Sequence, residues 1–380
     1  MPTTPRSPAP SHRSKPKRRW DARRRVVVGG FFSRLFRKVG DGLCEPGALP
    51  ERGIYRVLVC RPNHRLGNAV LVSPLIAEIE RLYPGAEIDI VTGGEAPTAL
   101  FANHFSVRKV VCLPRRIARH LLATVLQLVA LRRTTYDLAI DASIGSQSGR
   151  LLLGAMKARY KVGYSAAHQA GMPRHHAQRS VFLLRQAHAC PDDAPYPALD
   201  MRVSSLEWRR GRQTVRQILG EEAGGRSRTI VGVFANATGA KCYGEGWWTE
   251  CLEGLQRLRP DLLFVDVLAE HGRSQLGGHY PSFYSRDIRK MGAVIASLDA
   301  FISADCGVMH LAAASGTPTF GLFAVTDPDK YAPYGNGSTA IATRDRTAED
   351  TAAELAATIG RVVPMRRAWE ETDYPASISR

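Results

Sequence analysis

Residues 298–328 read LDAFISADCGVMHLAAASGTPTFGLFAVTDP, and few folds can accommodate that order of residues. Leu298 to Ala304 is a short apolar run with a β-branched centre, which fits a buried strand. Asp305, Cys306 and Gly307 interrupt it. Val308-Met309-His310-Leu311-Ala312-Ala313-Ala314 then fits a helix from its Ala and Leu content. Gly316 ends that helix, Pro318 prevents its return, and Thr319 to Phe323 fits a second buried strand. Backbone N–H groups at such a helix start, with the positive end of the helix dipole, favour an anion such as a pyrophosphate. Asp305 would stand at the carboxyl end of a strand, where open α/β sheets hold ligands. The same turn also occurs as a plain tight connection, so both readings stand on these residues alone.

The rest of the chain repeats the pattern. Ile54 to Cys60 fits a strand, Arg61 to Gly67 a polar loop, and Asn68 the opening of a helix that runs to about Tyr83. Strands are expected at Ala86–Thr92, Lys109–Leu113, Tyr136–Ala142 and Tyr160–Tyr164, with a helix over Ile117–Leu131. A second series begins at Thr229–Phe234. It continues through a Gly- and Lys-bearing loop (Ala235–Gly246), a helix Trp247–Leu258, a strand Leu262–Leu268, a helix near Asp287–Leu298, and a terminal helix from Thr347 to about Val362. Strand and helix alternate at βαβ spacing, which implies parallel sheets covered on both faces. Glu221–Gly225 is the expected boundary between the two series.

At 380 residues the chain has room for two cores. No run of eighteen apolar residues marks a membrane-spanning helix. Seven cysteines without a CxxC pair fit reduced thiols in a cytoplasmic protein, and no metal-site spacing of His, Cys or Asp occurs. The net charge of +17 is uneven, because residues 1–40 hold twelve basic residues and one acidic residue, or +11 of it. A folded nucleic-acid-binding face is therefore not expected, and nucleic-acid binding by the arm is the less favoured idea. Residues 1 to about 22 are too rich in Pro, Ser, Arg and Lys to fold alone. Phe31, Phe32, Leu35, Phe36 and Val39 share one helical face among basic residues. That pattern fits adsorption to an anionic membrane surface through residues 1–40, or a helix packed on the body.

Four ordered pieces carry a resemblance: RVLVCRPNHRLGNAVLVSPL (56–75), YDLAIDASIGSQSGRLLLGAMKARYKVGY (136–164), FANATGAKCYGEGWW (234–248) and ADCGVMHLAAASGTPTFGLFAVTDPDKYAPYG (304–335). Together they resemble glycosyltransferase family 9, the ADP-heptose:lipopolysaccharide heptosyltransferases and relatives, over residues 54 to 345. The resemblance implies an α/β chain of GT-B architecture, two Rossmann-like doubly wound domains facing a central cleft. Residues 1–50 have no counterpart in it and are expected, from composition, to be a partly disordered basic arm with a short amphipathic helix; the resemblance makes 51–220 the acceptor domain. Residues 221–346 become the nucleotide-sugar donor domain, and 347–380 a helix and tail. Family members are metal-independent inverting transferases at the cytoplasmic face of the bacterial inner membrane, with a lipid-linked glycan as acceptor and no cofactor beyond the nucleotide-sugar.

Residue by residue, the resemblance places Asp305 toward the donor sugar and the amides of Cys306, Gly307, Val308 and Met309 on the diphosphate. Lys241 matches a loop lysine that neutralises the leaving group, and Glu270 an acidic residue on the nucleotide ribose. Each has a plain alternative as a solvated loop residue. His310 reads as a structural hydrogen-bonder. The departure is Asn68: active relatives commonly carry Gly-Asp where this chain has Gly67-Asn68, and that aspartate is thought to be the base. An amide cannot take the proton, and losing a general base costs roughly 10²–10⁴ in rate. Another group would then serve, with His64 and Asp141 as candidates. The enzyme could instead be slow, or the chain a silent binder of nucleotide-sugar or glycan at the membrane. As a plain alternative Asn68 is a helix N-cap.

Overall fold

The computed structural model describes residues 42–114, 121–165, 170–188, 194–220 and 228–373. The basic arm with its expected helix, positions 117–120 and the Glu221–Gly225 boundary lie outside the described residues.

Two parallel sheets organise the chain. The first contains β1 (Arg56–Arg61), β2 (Glu87–Gly93), β3 (Val107–Leu113), β4 (Tyr136–Asp141) and β5 (Ala158–Val162) in the order β3-β2-β1-β4-β5. The second contains β6 (Thr229–Phe234), β7 (Leu262–Val267), β8 (Ser282–Phe283), β9 (Ala300–Ala304), β10 (Thr319–Phe323) and β11 (Thr339–Ala342) in the order β11-β10-β9-β6-β7-β8. The central strands are continuous apolar runs because helices cover both sheet faces; every residue of β9 and β10 is buried. Strand order reverses between β1 and β4 and again between β6 and β9. Crevices open at such reversals, beyond the carboxyl ends of the strands. Cys60 pairs with Asp141 at the first reversal, and Phe234 with Ser303 at the second.

Several boundaries differ from expectation for identifiable reasons. The helix expected from Asn68 to Tyr83 is two helices, Leu66–Val70 and Ser73–Leu82. Pro74 has no N–H to give to Val70, and the Ser73 hydroxyl donates to the Val70 carbonyl instead, at 2.8 Å. Asn68 is therefore not the helix cap. Arg65 holds that position, with extended backbone and no capping side chain. β9 starts at Ala300 because Asp299 is engaged with β6, its carboxylate accepting from the Ile230 amide at 2.8 Å. The helices Ala96–Leu100, Gln147–Ala155 and His176–Ala187 were not expected.

The halves meet along a built seam. The helix Ser205–Leu219 lies on the helix Ile288–Ala296 so closely that a Cβ at Gly211 would come 2.1 Å from the Ala293 carbonyl oxygen. Arg289 crosses the seam, donating to the Glu207 carboxylate at 2.8 Å and to the Met201 carbonyl at 2.6 Å. Burial alone would raise the Glu207 pKa, but Arg289 and Ser204 hold it at about 2. No described helix is long and apolar enough to cross a membrane.

Candidate active site

On the second sheet, the loop after β6 tightens into a single 3-10 turn, Gly239–Lys241, made possible by Gly239 at φ +64. The Cys242 thiol donates to the Ala237 carbonyl at 3.1 Å and closes the loop. This aims Lys241 across to β9, where its Nζ lies 2.6 Å from Asp305 Oδ2. That oxygen takes no aligned hydrogen bond, so the contact is an ion pair rather than a directed bond. The Asp305 amide donates to Leu322, fixing the carboxylate at the end of the strand, and its side chain is nearly enclosed. Beside it, Tyr243 stacks on Trp247 at 4.3 Å and hydrogen-bonds Thr343 at 2.6 Å.

The helix that follows runs Gly307–Ala314, with extended Cys306 as its cap. Burial raises the Cys306 thiol pKa; Ser303 and the amides of Met309 and Val308, which face its sulfur, oppose the rise. Sulfur is a weak acceptor, so an anionic oxygen brought to those amides would be the better partner. His310 is buried on this helix and its Nδ1 has no hydrogen-bond partner among the described residues. Burial, with His175 nearby, pushes its pKa down to about 4, so the ring is neutral. It also packs against the first half: a Cβ at Gly67 would come 2.9 Å from His310 Cδ2 and 3.2 Å from Gly307 Cα.

On the first sheet, Arg61 ends β1. Its guanidinium donates to Asn68 Oδ1 at 3.1 Å and to the Ala142 carbonyl, while its buried Nε has no partner among the described residues. Asp141 ends β4 and is fully buried. Its Oδ1 accepts from the Ser143 amide at 2.8 Å, and its Oδ2 has no partner among the described residues. Burial pushes its pKa up to about 6 against the opposing pull of Ser143, Arg61 and Arg150. The other candidate base, His64, is exposed on the other side of β1, where its Nδ1 would lie 2.6 Å from a Cβ at Gly93. Glu270 lies exposed in the turn after β7. Its carboxylate has no hydrogen bond or ion pair among the described residues, and its carbonyl accepts from Tyr284 at 3.0 Å.

The structure thus joins Lys241 to Asp305, stands both beside the 306–309 turn, and brings Arg61 to Asn68 with Asp141 close by. It leaves His64 and Glu270 outside these contacts. Two features escaped sequence reasoning. Arg61 lay in plain view at the end of a strand, but its partners are 7 and 81 residues away. The second is a strap between the halves: Arg174 pairs with Asp327 at 2.8 Å and with Asp329, His175 Nε2 bonds the Ala332 carbonyl at 2.8 Å, and His176 stacks on Tyr331 at 4.6 Å. Among the described residues no group of three or more His, Cys, Asp or Glu is placed to hold a metal ion.

Residues 285–356, which include β9, the 306–309 turn and β10, match the profile of Glycosyltransferase family 9 (heptosyltransferase). The resemblance to family 9 holds. The lipopolysaccharide core heptosyltransferase OpsX of Haemophilus influenzae is 32% identical over 63 residues, which is 17% of this chain and 18% of that protein. Among solved structures, the E. coli heptosyltransferase WaaC with ADP superposes with a TM-score of 0.61 at 18% identity, covering 80% of this chain and 99% of that one. The family 9 glycosyl transferase from Veillonella parvula gives a TM-score of 0.59 at 14% identity, over 86% and 98% of the two chains. These superpositions establish the fold, and the architecture is GT-B. Sequence likeness to family 9 is concentrated in the second half.

Proposed function

We propose that this protein is an inverting glycosyltransferase that moves heptose from ADP-heptose onto a lipopolysaccharide core or a related surface glycan. In this reading the acceptor hydroxyl oxygen attacks the anomeric carbon, the bond from that carbon to the diphosphate breaks, and the proton passes to a base. Lys241 and the amides of the 306–309 turn would take up the charge that grows on the departing nucleoside diphosphate. Asp305 would hold Lys241 in line and face the positive charge developing at the sugar. Glu270, exposed beyond β7, would reach the ribose. The observation that carries the reading is the Lys241–Asp305 contact at the strand-order reversal of the second sheet, 2.6 Å.

For the base we put forward Asp141. It is a carboxylate with one oxygen free among the described residues, and its pKa, at about 6, is close to neutrality. Asn68, whose oxygen already accepts from Arg61, would position rather than deprotonate. Because Asp141 is enclosed beneath Ser143 and Gly149, the 142–147 loop would have to open for an acceptor. The acceptor would be lipid-linked, with the arm 1–40 drawing the enzyme to the cytoplasmic face of the inner membrane.

The test is ADP release from ADP-heptose in the presence of a lipid-linked core acceptor. Turnover that Lys241→Ala abolishes supports the enzyme. Donor binding without turnover on any acceptor, in wild type and in Asn68→Asp alike, would instead mark a silent nucleotide-sugar binder.

A further inference from the structure

The helix Leu121–Arg133 is apolar nearly all round, a composition suited to a helix covered on every side. Yet one whole face is open. Leu122, Val125, Leu126 and Val129 are 74%, 51%, 60% and 44% exposed. At 3.6 residues per turn these four fall within an arc of about 100°. Thr124 and Leu131, on the opposite side, are buried against the first sheet. Arg133 continues the open stripe, Arg132 flanks it, and both are exposed.

We propose that this face rests on a membrane containing anionic lipid, its four apolar side chains entering the boundary between headgroups and acyl chains and the two arginines meeting phosphate. Charge decides between a lipid and a second copy of the chain. From Pro114 to Tyr136 the sequence contains no acidic residue, so two copies of this face would bring arginines together with nothing to pair them. An anionic surface supplies both the missing charge and the apolar cover. The helix follows β3, the edge strand of the first sheet, so its outer face is not needed to cover a neighbouring strand. The inference does not depend on the donor chemistry proposed above.

The experiment is co-sedimentation of the full-length protein with vesicles of phosphatidylcholine alone and of equimolar phosphatidylcholine and phosphatidylglycerol. It is run at low salt and at about 1 M, where the Debye length shrinks to roughly 3 Å and the arm's attraction is screened. Wild type is expected to prefer the anionic vesicles and to keep part of its binding at high salt. Leu126→Glu with Val129→Glu should lower partitioning at high salt on the order of a hundredfold, about tenfold per side chain withheld from the lipid. Leu126→Trp should raise it, and Arg132→Gln with Arg133→Gln should weaken binding a few-fold at low salt only. Sedimentation velocity and ADP release from ADP-heptose with a short-chain acceptor are followed on the same samples, since neither depends on lipid contact. Wild type that ignores vesicles overturns the proposal, as does a glutamate pair that binds them undiminished. So does a wild-type dimer that the glutamate pair splits while vesicle binding persists, which would make the face a contact between copies.

Discussion

Arg61 in the first half and Lys241 in the second occupy matching places, each at or just beyond the strand from which its sheet's order reverses. Their charges are treated differently. Lys241 meets a carboxylate at 2.6 Å, so its field is met locally until a ligand arrives. Arg61 is given an amide oxygen and a backbone carbonyl as hydrogen-bond partners, and the nearest carboxylate, Asp141, acts on its charge electrostatically. Burial lowers its pKa, and the neighbouring Asp141 partly restores it. The lysine of the second half is thus paired directly with a carboxylate, whereas the arginine of the first half is held by neutral oxygens with a carboxylate nearby.

Asp141→Asn is the sharpest way to break this contrast. If the acceptor half supplies the base, ADP release should fall roughly 10²–10⁴-fold. The acid limb of the rate profile, expected near pH 6 from a carboxylate at about 6, should disappear with it. Stability should move the other way. Between about pH 4 and pH 6 the folded chain keeps a proton that the unfolded chain releases, so wild-type stability falls as pH rises through that window and levels above it. The difference between a pKa of 3.8 and one of about 6 corresponds to at most roughly 3 kcal/mol. Urea midpoints across that range should show the slope in wild type and lose this contribution in the variant.

Lys241→Ala tests the other half. Removing a preorganised group that meets leaving-group charge costs about 10²–10³ in turnover. Because the lysine is part exposed, the melting temperature should move little, and a large drop would mean the residue is structural. Asn68→Asp turns the first half toward the second by giving Arg61 an acid. A charge-assisted bond there should add about 1 kcal/mol of stability, read as a raised urea midpoint. Held as an ion pair, the new acid is a poor base, so ADP release should change by less than tenfold; a hundredfold gain would show that the base had been lost from position 68. The smallest effect is expected from Arg174→Ala. Its pairs with Asp327 and Asp329 are well exposed, and pairs of that kind contribute about 0–1 kcal/mol.

The central strands were legible because each is an apolar run enclosed on both faces, and β6 and β10 start and stop where their residues say, whereas the short edge strands β8 and β11, part exposed, carried no such signal. The 306–314 turn and helix were legible for the same reason, with Gly307 and Gly316 as punctuation. Asn68 was misread even though Pro74 was there to split the helix; an apolar periodicity running from Val70 to Ile79 outweighed a single missing N–H. Burial at Asp141 could not be read, since it depends on Gly149 letting a helix settle against the carboxylate: a Cβ there would stand 2.4 Å from Oδ1. The strap that ties Arg174 and His175 to Asp327 and Ala332 was equally hidden, because it joins residues some 150 positions apart through ordinary loop chemistry.

The meeting of Gly67 with Gly307 carries a consequence of its own. Two segments of the chain touch there with hydrogen alone between their backbones, so the halves sit at the least spacing two main chains allow at that point. A methyl group on either glycine would act as a shim, prising the two halves apart by the width of one carbon and loosening every fit that depends on their spacing.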